Sequence, residues 1–335
     1  GFLEEQHFFE FVIDHLLRIV GPHPQRIMIV MMVMAAVSAA LVDEVTSILF
    51  MVAAMLNLLK GSKLNPIPFV LMLVFTTNIG SSATVVGNPV GVIIALRSGL
   101  TFLDFLRWAT PISLICLAVT IPICLALFAK DIAALKEVLA GKRSEQTLAH
   151  LVEAEQVTRK GIRLSGWLFG GVVLGLVLHH PIEHLLHLPN NTMLLGIALI
   201  GAGMALALSG DNARVLVEKR VDWWTLMFFL MLFASVGTLK QTGVTGVMAS
   251  RIIELSGGSI PVLTTLFAWS AGVLTAVMDN VLAVATFVPV VSDVAGTGLQ
   301  TFPLWWAMLM GGTLMGNATL IGSTANIVAA GILER

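Results

Sequence analysis

The stretch Ser38-Ala39-Ala40-Leu41-Val42-Asp43-Glu44-Val45-Thr46 places two acidic residues in the middle of a long apolar region, residues 27–59. A second apolar region, residues 260–291, has Asp279-Asn280 at its centre. A continuous helix of either length would measure about 50 Å, which is too long for a hydrocarbon core of about 30 Å. Halves of roughly 16 residues are too short to cross. The lengths therefore predict two re-entrant helical hairpins with the acidic residues at their tips.

The composition indicates a membrane setting. Of the 335 residues, 57% are hydrophobic and only 12% are charged, whereas a soluble domain has about 25% charged residues. The mean hydropathy is +0.92. We therefore predict an all-α polytopic membrane protein, with further crossings at residues 108–129, 166–178, 192–209 and 223–237. A net charge of −1 lacks the basic excess typical of nucleic-acid binding, so nucleic acid is excluded as a partner.

Two more apolar regions, residues 66–97 and 302–333, are each interrupted by a short polar stretch that contains glycine. The first interruption reads Asn78-Ile79-Gly80-Ser81-Ser82-Ala83-Thr84-Val85-Val86-Gly87-Asn88-Pro89. The second reads Gly316-Asn317-Ala318-Thr319-Leu320-Ile321-Gly322-Ser323-Thr324-Ala325-Asn326. Glycine permits unwound backbone, which hydroxyl and amide groups can line. Each region is therefore predicted to cross the membrane once as a discontinuous helix.

The interruptions recur at nearly constant spacing. The spacing from Ala83 to Ala318, where the two Ala-Thr-x-x-Gly stretches begin, matches the spacing from Asp43 to Asp279 to within a single position. This predicts two repeats, residues 1–129 and 166–335, joined by a connector at 130–165. Some helices lack a counterpart in the other repeat, so we expect the natural protein to have about three more helices at its start and about one more at its end.

The distribution of Lys and Arg sets the orientation. With these hairpins and crossings, 15 of the 19 Lys and Arg residues fall on one side of the membrane, seven of them in the connector. The positive-inside rule places the connector in the cytoplasm, which suits a protein of the cell (inner) membrane. The two hairpins then enter from opposite sides, so the repeats are inverted. In transporters, inverted repeats put the substrate site near the bilayer midplane and point to alternating access.

The polar side chains at the interruptions are the candidate functional residues. Charges at membrane depth cost several kcal/mol, so Asp43, Glu44 and Asp279 are predicted to couple transport to protons. Capping of the following helix is the simpler alternative for them. Amides and hydroxyls suit a small hydroxylated solute or a partly dehydrated cation. The predicted substrate-binding residues are Asn78, Ser81, Ser82, Thr84, Asn88, Asn280, Asn317, Thr319, Ser323, Thr324 and Asn326.

One competing motif points to a different class of protein. His180, Glu183 and His184 form an H-x-x-E-H pattern, which inverted zinc proteases use, so a membrane zinc hydrolase is a remote alternative. Pro181 is expected to disturb the helix that such a site needs. The preferred interpretation is a surface-exposed histidine cluster at a helix end. No catalytic residue, cofactor or resident metal is therefore predicted.

Four ordered motifs resemble the arsenite-pump and P-protein branch of the ion transporter superfamily. They are the stretch around Asp43-Glu44, the two Ala-Thr-x-x-Gly loops, and Met278-Asp279-Asn280-Val281. The resemblance implies inverted repeats, each with a re-entrant hairpin followed by a discontinuous helix, and a homodimer. In members of this superfamily the hairpin tips often read Asp-Asn, a pattern that Asp43-Glu44 matches only in part. Family loops often read Gly-Asp-Pro-Pro, whereas Gly87-Asn88-Pro89-Val90 lacks the acid, which weakens a transferred cation site and favours Glu44 as proton carrier.

The resemblance also narrows the expected substrate. Related dicarboxylate carriers have Ser-Asn-Thr at both tips, and acidic tips would repel a dianion. Sodium/proton antiporters usually have Trp-Ser-Pro in place of Ala83-Thr84-Val85. We therefore expect proton-coupled efflux of arsenite or antimonite, whose neutral trihydroxide suits amide and hydroxyl ligands. Na⁺/H⁺ antiport, or transport of another anion or metalloid, is the alternative. The sequence leaves open whether an ATPase partner assists.

Overall fold

The computed structural model describes residues 21, 23–144, 159–189, 191–221 and 223–334. All regular structure within these ranges is helical. The main helices are α1 (Pro24–Leu41), α2 (Glu44–Leu59), α3 (Ile67–Ser81), α4 (Pro89–Ser98), α5 (Thr110–Leu127), α6 (Ala129–Ser144), α7 (Arg159–Leu186), α8 (Thr192–Ser209), α9 (Trp223–Gln241), α10 (Val244–Ser256), α11 (Ile260–Val277), α12 (Asn280–Ala295), α13 (Phe302–Leu314) and α14 (Thr324–Leu333). The first 20 residues of predicted repeat 1 and residues 145–158 of the connector lie outside the described residues.

Shorter helical turns join some of these helices. A turn at Phe102–Asp104 and a π-helical turn at Phe105–Ala109 lead into α5. Two 3₁₀ turns, Met315–Ala318 and Leu320–Gly322, fill the interval between α13 and α14. The remaining short turns lie between α8 and α9, at Gly210–Asn212, Ala213–Val215 and Leu216–Arg220.

Five of the described helical segments are long and apolar enough to cross a membrane. They are Pro24–Leu41, Phe102–Leu127, Arg163–Leu186, Thr192–Ser209 and Ile260–Val277. The segments Phe102–Leu127, Arg163–Leu186 and Thr192–Ser209 are buried over less than a fifth of their length, so most of their apolar surface is available to lipid. The prediction of an all-helical, multi-pass membrane protein is confirmed.

Both acidic centres coincide with breaks between helices. Helix α1 ends at Leu41 and α2 begins at Glu44, while α11 ends at Val277 and α12 begins at Asn280. Within each pair the two helices pack against each other. The first arms, α1 and α11, each have 18 residues, two more than expected, and this length suffices for a crossing. The re-entrant path of the two hairpins therefore stays a prediction.

The two glycine-containing stretches are also breaks. Asn88 precedes α4, and its Oδ1 accepts a hydrogen bond from Gly91 N at 2.9 Å. Ser323 precedes α14, and its Oγ accepts from Ala325 N at 3.2 Å. Side-chain acceptors at this position satisfy backbone N–H groups that the first helical turn leaves free. Each stretch therefore ends where a capped helix begins.

Helices from the two halves of the chain pack against each other around these breaks. Helix α4 packs against α12 and α13, and α14 packs against α2 and α3. The buried apolar side chains form two clusters, one chiefly from α4 and α11–α13 and the other chiefly from α1–α3, α6 and α14. Each cluster thus takes helices from both halves of the chain, and this brings the polar breaks of the two halves together between them.

The connector predicted at residues 130–165 is described up to Ser144 and again from Arg159. Its first part is helical, because α6 runs to Ser144 and buries Ile132, Leu135 and Leu139 against the core. Residues spaced by three and four positions lie on one helix face, so these three form an apolar stripe that packs against α1. Helix α7 begins at Arg159, ahead of the predicted start at 166.

Close backbone approaches fix α1 against α3 and α11 against α13. A Cβ atom at Gly80 would collide with the backbone of Ala36, and one at Gly311 would collide with the backbone of Ala268. Only glycine allows backbones to approach this closely, as is common between membrane helices. The first helix of each predicted hairpin, α1 or α11, is therefore held closely against the first helix after that hairpin, α3 or α13.

Candidate functional site

Asp43 and Asp279 cap the helices that follow the two acidic breaks. Asp43 Oδ2 accepts hydrogen bonds from the backbone N and the Oγ1 of Thr46, at 3.0 and 3.1 Å. Asp279 Oδ1 accepts from Val281 N at 2.9 Å. Its other oxygen accepts from Thr324 Oγ1 at 2.8 Å, which ties α12 to the start of α14. Both aspartates are partly exposed and occupied by capping contacts.

Glu44 is placed differently, with only 1% of its surface exposed. Ser81 Oγ donates to Glu44 Oε2 at 2.9 Å, and Asn280 Nδ2 and Ser323 Oγ lie 3.4 Å from Oε1. Ser81 comes from the first half of the chain, whereas Asn280 and Ser323 come from the second. The Glu44 carboxylate therefore lies where the two halves meet.

Three asparagines continue this cluster. The two N–H groups of Asn78 donate to Asn317 Oδ1 at 2.7 Å and to Asn326 Oδ1 at 2.8 Å. Asn78 Oδ1 accepts from Ser323 Oγ at 3.0 Å. One asparagine of α3 thus holds three side chains of the second half. We call Glu44, Asn78, Ser81, Asn88, Asn280, Asn317, Ser323 and Asn326 the central cluster.

Asn88 and Asn326 link the central cluster to the backbone of the two breaks. Asn88 caps α4 and also donates to Ser81 Oγ at 3.0 Å. Asn326 donates to Gly316 O at 2.7 Å and to Thr319 O at 2.8 Å, which satisfies carbonyl groups of the unwound stretch before α14. Buried backbone carbonyls need such partners. These contacts therefore fix the shape of the unwound backbone around the cluster.

Four predicted binding residues lie outside the central cluster. Ser82 Oγ donates to Ile79 O and contacts Ser113 Oγ on α5 at 2.9 Å. Thr84 Oγ1 donates to Ala40 O near the end of α1, and Thr319 Oγ1 donates to Ala276 O near the end of α11 at 2.8 Å. Each threonine thus ties an unwound stretch to the end of the helix before an acidic break. Thr324 contacts Asp279, as described above.

Thr313 contacts the central cluster but was not predicted as a site residue from the sequence. Thr313 Oγ1 lies 3.5 Å from Asn88 Nδ2 and is fully buried on α13. A lone threonine in an apolar helix carries little signal on its own. The repeat spacing could have identified Thr313, because the spacing that relates Ala83 to Ala318 also relates Asn78 to Thr313.

The central cluster is rich in hydrogen-bonding groups but contains an uncompensated carboxylate. Among the described residues, none of the groups that contact Glu44 is basic, and Asp43 and Asp279 add further negative charge nearby. An unpaired carboxylate at membrane depth is costly, and a bound proton or cation relieves that cost. Asn280 Oδ1 is also buried without a hydrogen-bond donor from the described residues. The site is therefore suited to bind protons, cations or hydroxyl-bearing solutes.

The H-x-x-E-H pattern has a structural role at its acidic residue. Glu183 is buried, with 1% of its surface exposed, and accepts hydrogen bonds from Asn191 N at 3.1 Å and Met193 N at 2.8 Å. It thus satisfies the first turn of α8, where the helix dipole favours a carboxylate. The described residues contain no group of three or more metal-ligating side chains.

The histidine cluster itself is only partly exposed, which corrects the expectation of a surface cluster. His179 is fully buried, and its Nδ1 lies 2.7 Å from Leu176 O. His180 and His184 are exposed. Pro181 lies inside α7, which continues to Leu186.

The chain has apolar helices long enough to span a membrane, and they break at polar side chains that meet inside the protein. With the family and relatives that it matches, this defines a multi-pass membrane transporter rather than an enzyme. Comparison with known families identifies the kind of transporter more specifically than the fold does. Residues 1–311 match the family described as citrate transporter, CitMHS, and the chain belongs to that family. Membership of this family excludes the zinc hydrolase alternative.

Several relatives are transporters. An uncharacterized transporter of Mycobacterium bovis is 33% identical over all of this chain and 75% of its own length. An uncharacterized transporter of Synechocystis is 25% identical over 99% of this chain and 75% of its own length. The human P protein is 25% identical over 99% of this chain and 47% of its own length. The resemblance drawn from the motifs is confirmed for the ion transporter superfamily, but the family matched is that of citrate transporters.

Proposed function

We propose that this chain is a proton-coupled secondary transporter that works by alternating access. Its two repeats, residues 1–129 and 166–335, are inverted in the membrane, and each contains a re-entrant hairpin followed by a discontinuous helix. The hairpins are α1–α2 and α11–α12, and the discontinuous crossings are α3–α4 and α13–α14. Inverted repeats with unwound helices at the midplane are the usual construction of a secondary transporter.

The buried carboxylate of Glu44 is the observation that carries this proposal. It contacts Ser81 from one half and Asn280 and Ser323 from the other, without a basic partner among the described residues. Loading and release of a proton at Glu44 changes the charge at the contact between the two halves. Proton binding can therefore favour one arrangement of the halves over the other.

Asp43 and Asp279 have a supporting part in this mechanism. Their oxygens are engaged by Thr46 N and Val281 N as helix caps. Both aspartates are partly exposed, whereas Glu44 is buried. Of the three residues predicted to couple protons, Glu44 is thus the carrier and the two aspartates set its surroundings.

The solute binds among the amides and hydroxyls around Glu44. Arsenite or antimonite is the first candidate, because a neutral trihydroxide can exchange hydrogen bonds with asparagine and serine side chains and needs no basic residue. In this proposal the direct ligands come from the central cluster, whereas Ser82, Thr84, Thr319 and Thr324 hold the unwound backbone in place. In this mechanism the solute leaves the cell while protons enter it.

Citrate is the second candidate, favoured by the family match. Three carboxylates lie in or beside the site, so a citrate trianion would be repelled unless bound protons or a cation cancel its charge. The asparagine and serine side chains could then bind its hydroxyl and carboxyl oxygens. Na⁺ as coupling ion in place of the proton is the remaining alternative, with Asn280 Oδ1 and Glu44 as oxygen ligands.

Several further expectations belong to this proposal. The connector, residues 130–165, lies in the cytoplasm, and the protein resides in the cell (inner) membrane as a homodimer. An ATPase partner is not needed for transport driven by a proton gradient. These expectations rest on the distribution of Lys and Arg and on the superfamily resemblance.

Transport by the full-length protein in liposomes tests the proposal. Uptake of arsenite, antimonite and citrate, the last with and without Mg²⁺, is measured under an imposed pH gradient and again under a Na⁺ gradient. The proposal expects one of these solutes to move only with the pH gradient, and Glu44→Gln to abolish that dependence. Thr77→Ala is the control, because the buried Thr77 hydroxyl has no hydrogen-bond partner among the described residues. Equal gradient-driven uptake by Glu44→Gln would refute proton coupling at this residue.

A further inference from the structure

A cavity of about 450 Å³ lies between α3 and α14, beside the central cluster. Its walls are mainly apolar side chains of these two helices, among them Val70, Leu71 and Ala330. Asn317 and Asn326 also line it. Both asparagines accept hydrogen bonds from Asn78 and belong to the central cluster, so the cavity borders that cluster.

The other end of the cavity lies at the ends of its two helices. Ile67, the first residue of α3, and Glu334, just past the last residue of α14, both line it, and both are exposed. Lys60 and Lys63 lie in the segment just before α3. The positive-inside rule assigns this side to the cytoplasm. The cavity therefore leads from the predicted cytoplasmic face to the central cluster.

The corresponding positions in the other half carry large buried side chains. The repeat spacing that relates Ala83 to Ala318 also relates Val70 and Leu71 on α3 to Trp305 and Trp306 on α13. Both tryptophans are buried, each with 7% of its surface exposed, and α13 packs against α4. Trp306 also contacts Phe105 and Phe302, with ring centroids 5.0 and 5.9 Å apart. At the positions equivalent to two residues that line the α3–α14 cavity, α13 therefore carries buried tryptophans, and Trp306 belongs to an aromatic cluster.

Trp306 is incompletely satisfied in this arrangement. Its indole N–H is buried and has no acceptor among the described residues. A buried indole N–H usually finds a partner, and one without a partner costs free energy. Removal of Trp306 from this position would relieve that cost, which is expected of a group that is displaced when the protein changes conformation.

We propose that the α3–α14 cavity is the aqueous pathway by which the solute reaches the central cluster from the cytoplasmic face, and that Trp305 and Trp306 close the equivalent pathway between α4 and α13. The inference rests on the proposed alternating access and identifies its pathway and its closure. In the alternate state the tryptophans leave the α4–α13 contact, and the α3–α14 cavity collapses.

Thiol labelling of the full-length protein in oriented vesicles tests this inference without relying on transport. Cys116 and Cys124, together with any cysteine outside this chain, are first replaced by alanine. Ala330→Cys is then compared with Ala95→Cys, because Ala95 is the equivalent position on α4 and is fully buried. The probe is a charged, membrane-impermeant maleimide applied from either side.

The inference expects Ala330→Cys to react from the side of Lys60 at least tenfold faster than Ala95→Cys, and not from the opposite side. It also expects Trp306→Ala to increase the labelling of Ala95→Cys from the opposite side. Equal rates at both positions, or no aqueous labelling of Ala330→Cys, would overturn the inference, since another segment or lipid would then fill the cavity. Labelling as expected without transport of the tested solutes would support the pathway and count against the proposed substrates alone.

Discussion

Glu44 and Asn280 each begin the helix that follows an acidic break, and they face each other across the contact between the two halves of the chain. Each directly follows an aspartate and is the first residue of its helix. Asn280 Nδ2 lies 3.4 Å from Glu44 Oε1. The predicted repeats thus supply a carboxylate from one side and a carboxamide of similar shape from the other. A single site between them can carry one proton.

This relationship predicts the result of exchanging the two residues. Glu44→Asn should reduce gradient-driven transport by at least about tenfold, because it removes the carboxylate that carries the proton in the proposed mechanism. The double variant Glu44→Asn with Asn280→Glu should recover a substantial part of the loss, since a carboxylate again lies at the contact. Uptake under an imposed pH gradient is the measurement. A double variant no more active than Glu44→Asn would show that Glu44 is needed at its own position.

A second prediction concerns Asn78, which holds side chains of the second half. Asn78→Ala leaves the Oδ1 atoms of Asn317 and Asn326 without their donor, at a cost of about 1–3 kcal/mol for each buried group. This cost falls on the folded state and should lower the melting temperature. In the proposal Asn78 also binds the solute, and one hydrogen bond contributes about 0.5–1.5 kcal/mol, so the apparent KM should rise by up to about tenfold.

The neighbouring residue supplies the matched control for Asn78. Thr77→Ala removes a buried hydroxyl that has no hydrogen-bond partner among the described residues, so transport and stability should change little. Initial rates over a range of solute concentrations measure both variants. An unchanged KM in Asn78→Ala would exclude this asparagine from solute binding.

The helix breaks could be predicted from the sequence for a clear physical reason. Acidic residues rarely lie in the middle of an apolar region, so Asp43-Glu44 and Asp279-Asn280 mark positions where a continuous helix is unfavourable. The side chains that meet at the site were harder to predict. Ser81 contacts Glu44 while Ser82 contacts Ser113, because adjacent residues on a helix point in different directions.

Tertiary contacts explain the remaining differences. The sequence around Glu183 contains a metal-site pattern, but its role depends on Asn191 and Met193 across a turn. No local pattern reveals that a carboxylate will meet the backbone of the next helix. Likewise, the stripe of Ile132, Leu135 and Leu139 is short and lies in a charged segment, so its burial depends on the position of α1.

A third prediction concerns the close contact of α1 and α3. Gly80→Ala should lower the melting temperature of the detergent-solubilised protein by several degrees, because the new Cβ atom collides with the Ala36 backbone and such overpacking costs about 1–3 kcal/mol. Gly171→Ala on α7 is the control. Nothing lies within 4 Å of the corresponding Cβ position, and alanine favours the helix. A Gly80→Ala protein as stable as the control would mean that α1 and α3 are farther apart than described.

The last prediction separates a structural role of Glu183 from a metal-binding role. Glu183 accepts two backbone hydrogen bonds at the start of α8, and charge-assisted bonds of this kind contribute about 1.5–3 kcal/mol. Glu183→Ala should therefore lower the melting temperature, whereas His184→Ala, which removes an exposed side chain, should not. Added zinc should leave the melting temperature of the unaltered protein unchanged, because a ligand that binds the folded state would raise it. Zinc-dependent stabilisation lost in both variants would instead indicate that Glu183 and His184 bind the metal together.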